Sequence, residues 1–450
     1  DRSLGALPGS LHTLNLFEPY GDLVDGNRGL VEFNDLLKRP MDLNRYLLST
    51  SETGTVPMDN VTLYIDTFLI GTVNEAYLDA FKGQPDWASY KGRIELIRMP
   101  YLLDYQAETK IYEVQLGQME IAKPVAPGVA RLAAIWAVLT RLTKPDVDAY
   151  PKAVREAVKQ LSPYEKAQLY AIGKVPDQVG GSVARELRAA VPDLYQETSG
   201  SSDYEGRMGA SPREIKTILL NAAHDQKYPC FSPLALFSEL DELVRDPSVY
   251  EFLQLKPNGD YNQPSDFVEV IREVYLDEVD DQLRSAMGLV DQDEYSKLFK
   301  RYVDHVNHWI KKEKLLDPVS GTYKSADERF MKEVEDRLGV EGERDEYRHN
   351  IISTIGAFRV DNPNADVDFG QIFERQFAIL RRRFFEEQAD AIRKIKMNLL
   401  RYFDGDTGDM QKPQKTQVEK TLAALKTEHG YTDETAREAI GFLVRNRYAD

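Results

Sequence analysis

Strand-like runs are confined to the start of this chain. RGLVEF (28–33), VTLYID (61–66), FLIGTVN (68–74) and RIELIRMPY (93–101) are short and apolar, and beyond about residue 105 no further run of this kind occurs in the 450 residues. Helical patterning lies between them, as in the spacing of Leu43, Tyr46 and Leu47. Short apolar strands separated by helices build a parallel sheet buried on both faces, because each crossover carries a helix back over the sheet. The expected fold is therefore mixed, an α/β part followed by a predominantly α-helical remainder.

The helical remainder is marked by repeated start signals. Ser162, Pro163 and Glu165 supply an N-cap, a first-turn proline and a capping-box partner, and Ser211, Pro212 and Glu214 repeat the device. Ser325 with Glu328 reads as a third. A helix begun at Pro127 carries Val129, Leu132, Trp136 and Leu139 on one stripe and is expected to pack on that face. ETSGSSDYEG (197–206) is a flexible loop by composition, and long amphipathic helices follow in 266–287 and 294–312.

Charge and cysteine usage narrow the partners. The net charge of -17 excludes broad binding to nucleic-acid backbones, which such a chain repels. The densest basic patch, Arg381, Arg382 and Arg383, is followed at helical spacing by Glu386 and Glu387 and reads as a self-paired, solvated helix face. With Cys230 alone, neither an internal disulfide nor a thiolate metal cluster can form. No apolar run approaches the ~18 residues that cross a bilayer, and no signal segment opens the chain, so a cytoplasmic protein without membrane or nucleic-acid partners is expected.

Two stretches imitate a kinase site. DFG at 368–370 is the tripeptide with which protein kinases hold magnesium, and RDEYRHN at 344–350 has the Arg-Asp-x4-Asn spacing of their catalytic loop. Both read better as helix. Phe369, Phe373, Phe377, Leu380 and Phe384 recur at spacings of three and four, which makes Asp368 an N-cap with Gln371 as its capping-box partner. Tyr347, Ile351, Ile355 and Phe358 share one helical face, leaving Asp345 pointing elsewhere and Asn350 inside the helix. His305 and His308 have ligand-like spacing but no accompanying zinc signature, and read as core-edge histidines.

The α/β part carries the chemistry. A P-loop ATPase needs carboxylates at the end of one strand, a polar residue on the neighbouring strand to sense the γ-phosphate, and arginines to neutralise charge in phosphoryl transfer. In that order the sequence offers Glu32 and Asp35 at the end of RGLVEFND, Asn74 at the end of FLIGTVN, Arg93 at the start of RIELIRMPY, and Arg213 in the first turn of the SPRE helix.

NRGLVEFNDLLKRPMDLNRYLLS, GTVNEAYLDAF, YKGRIELIRMPYLLDYQAETKIYE and GASPRE, with DPSVYEFLQL and HWIKKEKL further on, resemble the PrkA serine protein kinase family from about residue 20 onward. The resemblance implies an AAA+ ATPase module joined to a helical C-terminal region. Residues 1–105 would be the C-terminal part of the α/β core, 106–225 the helical lid, and 226–450 a PrkA-type C-terminal domain. It assigns Glu32 and Asp35 to the Walker B region as magnesium ligands, Asn74 to sensor 1, Arg93 to the arginine finger and Arg213 to sensor 2. ATP and Mg2+ would be the cofactors, a protein the substrate, and an AAA+ type homo-oligomer the assembly, serving bacterial stress or developmental regulation. The alternatives are an ATP-driven remodelling or protease machine without kinase chemistry, and a C-terminal region that only binds partners.

Two departures accompany the resemblance. Asn34-Asp35 stands where a Walker B strand usually ends in Asp-Glu, so either Glu32 or Asp35 could order the metal. No G-x-x-x-x-G-K-[ST] occurs, Gly173-Lys174 lacking the upstream glycine and the following hydroxyl. The family places that loop upstream, which implies that the chain is the C-terminal part of a longer, here N-terminally truncated, protein.

Overall fold

The computed structural model describes residues 8, 19–38, 46–58, 61–176, 179, 181–201, 203–288, 292–316, 323–340, 342–361, 369–373, 376–377, 379–380, 382–383, 389–406, 408 and 410–448. The chain divides into two compact units, Asp1–Met99 and Pro100–Asp450.

The first unit holds the strands β1 (Leu30–Phe33), β2 (Thr55–Pro57), β3 (Thr62–Tyr64) and β4 (Phe68–Gly71). β1 and β4 pair in parallel, in register from Leu30 opposite Phe68 to Phe33 opposite Gly71. The expected sheet is smaller than the sequence suggests. VTLYID does not join it, because β3 turns back on β2 as an antiparallel pair. RIELIRMPY is not a strand. Residues 94–100 run without regular structure, with Ile97 74% and Met99 83% exposed, and no strand pairs alongside them among the described residues. Nor is the parallel pair buried on both faces, since Val31 is its one buried side chain while Leu30 and Phe68 are exposed. The unit also holds helices Asp22–Asp25, Tyr46–Thr53, Glu75–Lys82 and Trp87–Lys91 and the short turn of helix Leu36–Lys38, with Phe81 packed edge-on against Trp87 and Tyr90.

The second unit is predominantly helical, but strands do not stop at about residue 105 as the sequence suggests: Leu315–Leu316 and Tyr323–Lys324 form an antiparallel pair, each too short to leave a pattern. At its centre lies Val129–Leu139, in which every residue but Arg131 is buried. The sequence stripe suggested one packed face. Instead the helices Tyr105–Gly117, Pro163–Ile172, Pro212–His224, Pro233–Arg245 and Pro264–Ala286 all touch it, as a segment apolar on every side requires. Helices Lys412–His429 and Asp433–Arg447 pack on Pro264–Ala286, and Ala389–Phe403 packs on both of them. Residues between 298 and 380 form a separate apolar cluster that includes Phe299, Tyr302, Phe373 and Leu380. Among the described residues no helix is long and apolar enough to cross a membrane.

Two of the three capping boxes form as the sequence indicates. Glu165 N donates to Ser162 Oγ at 3.3 Å while Ser162 N donates to Glu165 Oε2 at 2.9 Å. Glu214 N and Ser211 N make the same exchange at 3.3 and 2.6 Å. The third does not form. Helix Glu328–Arg337 is capped by Asp327, whose carboxylate accepts from Arg329 N and Phe330 N at 3.1 and 3.0 Å, because it stands directly before the first helical residue whereas Ser325 lies two positions too early.

Buried charges tie distant segments of this unit together. Asp280 accepts from Lys396 Nζ at 2.5 Å and from Tyr448 Oη at 3.1 Å, and it pairs with Arg284. Both shoulders of the loop after residue 197 are also held. Glu197 accepts from Tyr150 Oη at 2.6 Å and from Asp146 N. Glu205 accepts from Lys166 Nζ, Thr143 N and Tyr170 Oη at 2.5, 2.8 and 3.0 Å.

Candidate functional site

Because β1 and β4 run in the same direction, the residues that leave them emerge at one edge. Glu32 is opposite Ile70 and exposed. Past the strands, Thr72 N donates to the Phe33 carbonyl at 2.9 Å, Leu36 N donates to the Thr72 carbonyl at 2.9 Å, and Asp35 N donates to Thr72 Oγ1 at 3.2 Å. The Thr72 hydroxyl reaches Asn34 Oδ1 at 3.4 Å. Asp35 takes a left-handed backbone, φ 53°, which an aspartate tolerates better than most residues and which turns the chain sharply out of β1. Its carboxylate is held by Lys38 Nζ at 2.7 Å, with both side chains close to half exposed.

Asn74 does not end its strand. β4 stops at Gly71, and Asn74 is the N-cap of Glu75–Lys82, exposed, with no capping bond from its side chain. Thr72, which sequence reasoning passed over, is what stitches the two strand ends together. Its only sequence signal is a hydroxyl placed between a strand and an N-cap asparagine.

Arg93 opens no strand either. It follows Trp87–Lys91 and binds Glu52 Oε2 through Nε and Nη2 at 3.0 and 2.9 Å, with a further bond to the Ser89 carbonyl. Asp35 and Asn74 thus follow the aligned ends of β1 and β4, Glu32 lies within β1, and Arg93 sits elsewhere in the same unit on a carboxylate. Arg213 belongs to the second unit. It is exposed in the first turn of Pro212–His224, behind the Ser211 capping box.

The carboxylates suit magnesium better than zinc. Mg2+ takes one or two carboxylates and keeps its waters. Glu32 and Asp35 offer that number, and among the described residues no group of three or more His, Cys, Asp or Glu side chains could cage a metal.

The other sequence candidates resolve as structure. Asp345 and Asn350 lie within helix Arg344–Asp361, where Asp345 Oδ1 accepts from Arg348 at 3.2 Å and the Asn350 carbonyl accepts from Thr354 Oγ1 at 2.8 Å. A kinase needs a loop there. Phe369 opens the short helix Phe369–Ile372, while Asp368 and Phe384 lie outside the described residues. So do Arg381, Glu386 and Glu387; Arg382 and Arg383 are exposed.

His308 Nδ1 lies 2.8 Å from the Asp304 carbonyl of its own helix. His305 is buried and accepts the Asp327 amide at Nδ1, 3.0 Å away, which requires a neutral ring. Burial, and then the charge of Arg301, hold its pKa below the usual imidazole value. The unfolded chain therefore binds this proton more readily than the native one. Stability should fall as pH drops below about 6.5 toward the lowered native pKa. Urea midpoints measured between pH 7 and 5 are expected to decline less in His305→Gln, and an unchanged slope would refute the assignment.

Two family models match. The PrkA AAA domain covers residues 11–148, and the PrkA serine protein kinase C-terminal domain covers 164–442. The chain belongs to the PrkA family. This PrkA chain is 24% identical over 430 residues to the "ATP-dependent protease PrkA" of Bacillus subtilis, covering 94% of the chain and 61% of that protein. It is 22% identical over 438 residues to the "Serine/threonine kinase YeaG" of Escherichia coli K12, covering 95% and 61%. It thus spans about three fifths of the length of these relatives. No solved structure matches it.

Proposed function

We propose that this PrkA chain is the metal-ordering, sensing and helical part of an AAA+ ATPase that acts on a protein substrate as a homo-oligomer. The observation that supports the reading is the parallel pairing of β1 with β4, with Asp35 N bonded to Thr72, two residues before Asn74. Glu32 and Asp35 would hold Mg2+, which when bound neutralises phosphate charge. Asn74 would contact the γ-phosphate, with no capping bond competing for its side chain. Arg213 at a helix N-terminus opposes the helix dipole, a cost that an anionic ligand there would offset. Residues 1–105, 106–225 and 226–450 are proposed as core, lid and C-terminal domain.

Serine phosphorylation is the output proposed first, because the matched C-terminal model and the Escherichia coli relative both carry kinase descriptions. A protease or remodelling output is the second reading, favoured by the helix found where a kinase catalytic loop would lie and by the name of the Bacillus subtilis relative. Radiolabelled phosphate transfer to protein serine by the complete gene product would establish the first. ATP-dependent loss of substrate without transfer would establish the second.

The chain by itself, having no phosphate-cradling loop motif, should bind ATP with magnesium only weakly in a calorimetric titration. Micromolar binding would show that an unrecognised run within these residues cradles the phosphates.

A further inference from the structure

The segment that delivers Arg213 is fastened to one buried guanidinium. Arg141 follows the central helix Val129–Leu139 and is 1% exposed. Its Nε and Nη2 donate to the Ala210 carbonyl at 2.9 and 2.7 Å, its Nη1 donates to the Leu102 carbonyl at 2.8 Å, and its Nη2 also donates to Glu108 Oε1 at 2.6 Å. The preceding residue completes the clasp, since Ala210 N donates to Thr140 Oγ1 at 2.9 Å. Both backbone polar groups of Ala210, the residue directly before the Ser211 cap, are thus bonded to residues 140 and 141. Gly206 N donates to the Arg141 carbonyl at 3.1 Å and Tyr101 N donates to the Gly206 carbonyl at 2.8 Å, so residues 206–210 lie between this clasp and the segment that enters the unit at Pro100.

Gly209 shows how close the approach is. It has φ 127°, and a Cβ there would meet Arg141 Cγ at 2.5 Å and the Thr140 carbonyl at 2.9 Å, so no side chain can be accommodated. A buried arginine bonded to two backbone carbonyls and a fully buried carboxylate is shielded from bulk solvent, which strengthens each bond and stiffens the arrangement.

We infer that Thr140 and Arg141 are positioning residues for Arg213: they fix the first turn of Pro212–His224, and so the place at which its guanidinium meets the nucleotide. The inference rests on the sensor reading of Arg213. Its test is a double-mutant cycle on KM and kcat for ATP in the complete gene product, with Arg213→Ala, Thr140→Val, Thr140→Ser and Arg141→Lys.

Thr140→Val removes the hydroxyl at nearly constant shape, and with it the bonds to Ala210 N and the Ala137 carbonyl; loss of the first, which alone reaches the 206–210 segment, should raise KM for ATP severalfold to about tenfold. Thr140→Ser keeps the hydroxyl and should restore KM. In the Arg213→Ala background Thr140→Val should add nothing. Arg141→Lys should behave like Thr140→Val if it folds; if it does not, the threonine pair decides. No effect from Arg213→Ala alone would remove the sensor reading and this proposal with it. A strong effect from Arg213→Ala, with Thr140→Val either silent or fully additive to it, would leave the sensor reading intact and overturn the positioning role.

Discussion

Replacing Arg93 by alanine in the complete gene product is expected to lower ATP turnover by on the order of 10³-fold while leaving ATP affinity nearly unchanged, the signature of an arginine that meets charge only as it develops in the transition state. In the proposed assembly this arginine serves the nucleotide of the neighbouring subunit, so its loss spares the binding site of its own chain. The contact with Glu52 is compatible with that role. The pair is exposed on both sides, 35% for Arg93 and 55% for Glu52, and half-solvated pairs of this kind contribute only about 0–1 kcal/mol. Glu52 therefore parks the guanidinium without holding it against a triphosphate. Turnover at the wild-type rate in Arg93→Ala would dismiss the finger assignment and move attention to Arg98.

Asp280→Ala should be the most damaging single change to stability. The carboxylate neutralises Lys396, whose side chain is 1% exposed, and also binds Arg284 and the Tyr448 hydroxyl. Its removal leaves a buried ammonium without a counter-charge, which typically costs about 3–5 kcal/mol. Urea denaturation of the chain followed by far-UV circular dichroism would read the loss. Converting Asp280 and Lys396 together to Leu and Met should recover most of it, because the cost arises from the stranded charge and not from the absence of the pair. A single-mutant loss below about 1 kcal/mol would mean that water reaches Lys396.

Local chemistry was legible in the sequence and long-range pairing was not. Ser162 with Glu165 and Ser211 with Glu214 could be read because a capping box is satisfied within four residues. RIELIRMPY has the composition of a strand but pairs with no strand among the described residues, and strand composition alone does not say whether a partner exists. VTLYID was read as part of the parallel sheet because the antiparallel partner, Thr55–Pro57, is three residues long and leaves no pattern. Near the candidate site the sequence indicated two of the strands, and their parallel pairing aligns the ends from which Asp35 and Asn74 follow. Thr72, Glu52 and the Arg141 clasp were invisible for a different reason. Each bonds residues between 33 and 70 positions away, or backbone atoms that every residue possesses.

The two held shoulders of the 197–205 loop bear on how this chain can be handled and how it can drift. Glu197 is fixed by Tyr150 and Asp146, Glu205 by Lys166, Thr143 and Tyr170, and Gly200 and Ser201 between them are exposed, so the flanking fold is anchored by bonds outside this stretch. Doubling such a loop costs only about 0.6 kcal/mol in closure entropy. It is accordingly the place in the helical unit where descendants can gain or lose residues most cheaply, and where a fluorescent reporter could be grafted without disturbing the clasp that begins a few residues later.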